Sequence, residues 1–124
     1  MAGTERTARR PFVGRWRIGA MELWTSEDLD LLGPAPLTLE RDGGGTMRCI
    51  AVDVALDYRV VERDRHPGIE FSFDGIDEGD RITGRGWATL RGDELHGRLF
   101  FHHGDDSAFT ARRTVAVTPR PTRI

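Results

Sequence analysis

No lysine occurs in this chain of 124 residues, because all 18 Lys and Arg positions are arginine. Schiff-base chemistry, a pyridoxal phosphate anchor and the lysine of a phosphate-binding P-loop are thereby excluded. Cysteine is nearly absent too: Cys49 stands alone. One cysteine forms no internal disulfide, which suits a reducing compartment, and a cytoplasmic location is expected. Arg9-Arg10 would fit a twin-arginine export signal only if an apolar stretch followed. Instead Pro11 to Arg17 carries two more charges. No run approaches the roughly 18 consecutive apolar residues of a membrane span. An excess of positive charge is also missing, since 20 Asp and Glu outweigh the 18 arginines for a net charge of −2. Neither nucleic acid nor an anionic membrane is expected as a partner.

What the chain does have is short alternating apolar runs separated by Gly and Asp turns, the pattern of a small antiparallel barrel. The length suits one domain that buries roughly two-thirds of its unfolded surface. Residues 1–11 and 118–124 read as disordered tails around a barrel domain at 12–117. The first strand runs from Phe12 to Trp24, with Trp16, Ile18 and Ala20 on one face. A bulge at Gly19 is open, and it decides which residues beyond it face inward. Without it Glu22 and Trp24 enter the interior; with it Met21 and Leu23 do so and Glu22 meets solvent. Thr25 to Pro36 is the longest connection, a lid with one short helical turn bearing Leu29, Leu31 and Leu32.

Further strands are expected at Leu37 to Arg41, Thr46 to Ala51, Val54 to Val60, Ile69 to Phe73 and Arg81 to Arg91. Whether a corner at Val52-Asp53 parts the third from the fourth is open. Glu62 to Gly68 reads as a charged turn and Asp74 to Asp80 as an acidic loop. Gly92-Asp93 suits a two-residue hairpin, which pairs Arg91 with Glu94, Leu90 with Leu95, Trp87 with Arg98, Gly86 with Leu99 and Gly84 with Phe101. A loop at Gly104-Asp105-Asp106 then pairs Phe101 with Phe109 and turns Ser107, Phe109, Ala111 and Arg113 inward. The fold class is all-β, an eight-stranded up-and-down antiparallel barrel. Its first and last strands meet, so Arg113 stacks on Trp16 as a structural floor.

Gly14-Arg15-Trp16 together with Arg113 resembles the calycin superfamily of lipocalins, fatty-acid-binding proteins and avidins. Its members carry Gly-x-Trp on the first strand and, in lipocalins, a late arginine that packs across the Trp. That resemblance implies a calycin-like barrel with a ligand in its lumen. The lipocalin motif near the sixth and seventh strands and the polar biotin-binding set of avidins are not found here. Gly84 to Ala88 and Phe101 to Ser107 also resemble runs in small bacterial proteins, which implies no activity.

His102-His103-Gly104-Asp105-Asp106 has the residue types of a metal site. Adjacent strand residues point to opposite faces, however, and His96 lies about 20 Å along the strand from His102, so no metal is expected. Gly84-x-Gly86 is not followed by a helix and is no dinucleotide fingerprint, and no cofactor is expected. These glycines, with Gly97, make room for either strand curvature or a lumen.

Three readings remain. In the first, a small apolar molecule sits in the lumen among Trp24, Leu29, Leu32, Phe71, Phe101 and Phe109, with Glu22, Tyr58 and His103 as polar anchors. In the second, an isomerase or cyclase uses Glu22 or His103 to move a proton. In the third the core is filled and outward Trp87 and Phe100 serve a protein-interaction module, joining either another protein or a second copy as a homodimer.

Overall fold

In a computed structural model, residues 7–22 and 35–114 are described. They form a closed barrel in which eight antiparallel strands follow one another in chain order. The strands are β1 (Gly14–Met21), β2 (Pro36–Leu39), β3 (Gly44–Cys49), β4 (Val52–Arg63), β5 (His66–Asp77), β6 (Asp80–Arg91), β7 (Glu94–Phe101) and β8 (Asp106–Arg113). A helical turn at residues 7–9 precedes them. The expected helical turn and lid between residues 25 and 34 lie outside the described residues.

Closure rests on the β1–β8 ladder, where Trp16 opposes Arg113 as the sequence implied. The guanidinium carbon of Arg113 lies 4.2 Å from the centre of the Trp16 ring. Arg113 also donates to the carbonyls of Val13, at 3.2 Å, and Pro11. The Trp16 indole N–H donates to the carbonyl of Phe12 at 2.9 Å. Both Phe12 and Trp16 are fully buried. This lower end also receives the β2–β3, β4–β5 and β6–β7 turns, because an up-and-down barrel alternates its connections between ends.

The expected β6–β7 register is the observed one, from Arg91 opposite Glu94 to Gly84 opposite Phe101. Gly92 sits at φ 65°, a backbone that glycine adopts without strain at the first position of a type II′ turn. Elsewhere charge misled the strand boundaries. Glu62 to Gly68 is strand except for a two-residue turn at Asp64-Arg65, both with positive φ. Asp74 to Asp80 likewise stays paired up to a turn at Glu78-Gly79. Asp74 points outward there and pairs with Arg81 at 3.1 Å, whereas Asp77 and Asp80 lie opposite each other on the inward-facing parity at the very end of the hairpin. Strands β3 and β4 are separate, joined through Ile50-Ala51.

The β7–β8 register departs from expectation. Phe109 pairs with Gly97 rather than Phe101, and the loop is His102-His103-Gly104. The expected register would set Arg112 against Arg98, whereas the observed one sets it against Glu94, to which it forms an ion pair. Opposite charges replace like ones across the ladder. Because the slip is even, Ser107, Phe109 and Ala111 still face inward and are buried.

The core is a single cluster inside the barrel, from Trp16, Leu37, Leu39 and Ile69 at the lower end to Met21, Val52, Phe73 and Phe109 at the upper end. Inward glycines on β6 do not open a lumen. A Cβ at Gly86 would lie 2.6 Å from the tip of the Phe71 ring, and one at Gly84 would collide with the Phe73 ring. Their room is taken by two phenylalanines, so the inner wall along β6 is closely packed at these two positions.

Candidate functional site

At the upper end, where β1 stops and β2 starts, the inner wall is apolar. Met21 and Phe109 face each other across the β1–β8 ladder. Phe73 meets Phe101 edge to face, with ring centres 5.3 Å apart. Phe101 and Ile82 pack against the core yet stay only half-buried. Ser107 on this wall is fully buried and its hydroxyl donates to the carbonyl of Ala108 at 3.0 Å.

The bulge at Gly19 is present: Ile18 opposes Ala111 while Ala20 opposes Thr110, so Gly19 is the extra residue. This choice turns Met21 inward and sends Glu22 outside, where its side chain is 56% exposed. The Glu22 carboxylate accepts the Ala108 N–H at 2.9 Å and Arg98 at 3.3 Å. Arg98 is shared with Asp106 at 3.2 Å. Glu22 therefore clasps β1 to β7 and β8 from outside and cannot act as an interior anchor.

His103 is likewise displaced. It occupies the β7–β8 turn at φ 61° and is exposed, because the slipped register ends β7 at Phe101. Its neighbour His102 meets the Thr83 hydroxyl through Nδ1 at 3.0 Å. Tyr58 does face inward, but at the lower end, and its hydroxyl donates to the Glu40 carbonyl at 2.6 Å. Burial pushes its ionisation above the ordinary phenol value. None of the three expected polar anchors reaches the upper wall. Phe71, Phe101 and Phe109 all face inward as expected, with Phe71 spent on filling the space beside Gly86. Trp24, Leu29 and Leu32 lie outside the described residues. Among the described residues no group of three His, Cys, Asp or Glu is arranged to hold a metal.

Two lining residues, Met21 and Ile82, are absent from the set expected of an apolar ligand. The bulge alone decides Met21, whereas alternation along β6 already puts Ile82 on the face of Gly84 and Gly86. Cys49, the last residue of β3, is buried on the same inner face. Burial, and then the nearby Asp77 charge, pushes its thiol up to about 12. The thiolate is what reacts, so native Cys49 is inert near neutral pH. Unfolded, the thiol ionises near its ordinary 9.0. The neutral form is the one the fold favours, so its contribution to stability is intact below pH 9 and drains away as pH rises towards 12. Denaturant titrations should show stability falling by up to about 1.4 kcal/mol per pH unit across that window, in excess of what Cys49→Ala shows. Equal alkaline slopes in the two proteins would refute the assignment.

Charge is unevenly placed around the wall. Asp53, Asp74, Asp77, Glu78, Asp80, Asp105 and Asp106 surround the upper rim, while only Arg48, Arg81 and Arg98 among the described residues pair with them, at Asp53, Asp74 and Asp106. A rim so biased repels anions and admits neutral or cationic molecules.

Compared with known proteins, the chain matches no family model, no curated protein and no solved structure.

Proposed function

We propose that this barrel is a non-catalytic binding protein that takes a small apolar molecule, uncharged or cationic, against its upper inner wall. The observation that carries the reading is the contrast between the two ends. The lower end is sealed by Phe12, the Trp16–Arg113 stack and the Tyr58 hydrogen bond. At the upper end Phe101 and Ile82, two large inward-facing apolar side chains, remain half-buried. Phe71 and Phe73 take the room beside Gly86 and Gly84, so the ligand would sit above them, close to Met21, Ile82, Phe101 and Phe109. The two groups expected to move a proton, Glu22 and His103, both lie outside this wall. A fatty acid suits the site poorly, because its carboxylate would meet the acidic rim.

The test uses N-phenyl-1-naphthylamine, an uncharged apolar dye that brightens when it leaves water. The full chain should bind it saturably. Ile82→Ser and Phe101→Ser should each weaken binding about tenfold, the scale of losing one apolar contact of about 1.4 kcal/mol. Circular dichroism confirms that the variants fold. No brightening with the native chain, or undiminished binding by both folded variants, would contradict the reading.

A further inference from the structure

We propose that two copies of this chain associate face to face through the outer surface of β4 to β7, about a twofold axis running across the strands. This goes beyond the ligand reading and is independent of it. The surface carries a groove of about 460 Å³, based on Phe71 and Gly86 and walled in part by Trp87 and Phe100. Two adjacent rows of outward residues cross it. The upper row is Asp57, Ser72, Arg85 and Phe100; the lower row is Arg59, Glu70, Trp87 and Arg98.

Two properties single out this surface. Trp87 and Phe100 put large aromatic area on the outside of a small barrel, and both are only half-buried. Around them Asp57, Arg59, Glu70 and Arg85 are exposed, and among the described residues none of the four closes an ion pair. Arg59 and Glu70 even stand opposite each other on neighbouring strands without pairing. Their charges are therefore available to a partner.

The partner that fits is a second copy, because the two rows complement each other strand by strand. Packed sheets align their strands closely, which leaves two simple choices of axis. An axis along the strands exchanges β4 with β7 and sets Asp57 against Phe100, Ser72 against Arg85, Glu70 against Trp87 and Arg59 against Arg98 of the other copy, so none of the four exposed charges meets its opposite. An axis across the strands exchanges the rows instead. Asp57 then meets the other copy's Arg59, Ser72 meets Glu70, and Arg85 meets Trp87. Arg63 already covers one face of Trp87, its guanidinium carbon 3.8 Å from the ring centre. The second face is where Arg85 of the other copy would stack. Phe100 lies against the aliphatic stem of Arg98, whose charge is engaged by Glu22 and Asp106. Every contact occurs twice, as an isologous interface requires.

The same geometry supplies its own test. Asp57→Arg alone sets two arginines against each other at each of the two symmetric contacts, and Arg59→Asp alone sets two aspartates there. Mixing the two variants restores both contacts. At one of them the introduced arginine faces the introduced aspartate, and at the other the native Arg59 of the first variant faces the native Asp57 of the second. Sedimentation equilibrium on the native chain should show a dimer, with each single variant weakened about tenfold or more. An equimolar mixture should recover dimer, seen by native mass spectrometry as the mixed species in excess of either homodimer. Both positions are exposed, and circular dichroism checks that the variants fold. A native chain that stays monomeric at about 100 µM would overturn the proposal. So would variants that dimerise as well as the native chain, or a mixture that fails to associate.

Discussion

Replacing Trp16 with alanine is expected to cost about 3–5 kcal/mol, the range for deleting a large buried aromatic. For a domain whose total stability is on the order of 5–15 kcal/mol, such a loss leaves much of the chain unfolded at physiological temperature. Three effects converge on this residue. Its ring is almost wholly buried against the core, its indole N–H satisfies the Phe12 carbonyl, and its face supports Arg113. Arg113 should matter less but in a diagnostic way. Arg113→Met keeps the apolar stem and loses both the stack and the two carbonyl contacts, at a cost of about 2–3 kcal/mol. Arg113→Lys keeps the charge but has no planar group to lay on the indole or to reach two carbonyls, so it should recover little. Chemical denaturation of the single and double variants gives the coupling between them. Additive losses would mean that the two side chains merely lie near one another.

The second large effect is expected at Gly84, where alanine should destabilise the fold by about 3 kcal/mol, at the upper end of overpacking costs. The added carbon would collide with both the Phe100 carbonyl and the Phe73 ring. Phe73→Leu shortens the offending side chain, so combining it with Gly84→Ala should restore part of the loss. The backbone contact keeps the rescue incomplete. If Gly84→Ala proved neutral in thermal and denaturant unfolding, Phe73 would not fill the space beside Gly84 and the interior would be roomier than described.

That packed interior bears on how far the amino-acid order alone could lead. The barrel itself was legible, because alternation along β4 to β7 is clean and Gly92-Asp93 fixes one hairpin to the residue. The Trp16–Arg113 contact followed from closure. The candidate site was less legible, for three local reasons. At Gly19 a single extra residue changes which face Glu22 joins, and nothing in the order of residues decides it. At the β7–β8 turn several loop positions keep the apolar parity, so parity cannot choose among them. The choice falls to Arg112 meeting Glu94 rather than Arg98, and it carries His103 out of the barrel. Tyr58 was given the right face, but its hydroxyl is engaged by a backbone carbonyl at Glu40, which no side-chain pattern reveals. The acids at the β5–β6 hairpin resembled a loop, since strand ends at a wet rim carry as much charge as turns do.

Backbone amide chemical shifts recorded while N-phenyl-1-naphthylamine is added would locate the binding surface directly. Saturable changes should cluster at Met21, Ile82, Phe101 and Phe109, leaving Trp16 and Arg113 at the sealed end unmoved. Shifts confined to the outer face around Trp87 and Phe100, or no saturable shifts at all, would contradict a ligand site inside the upper rim.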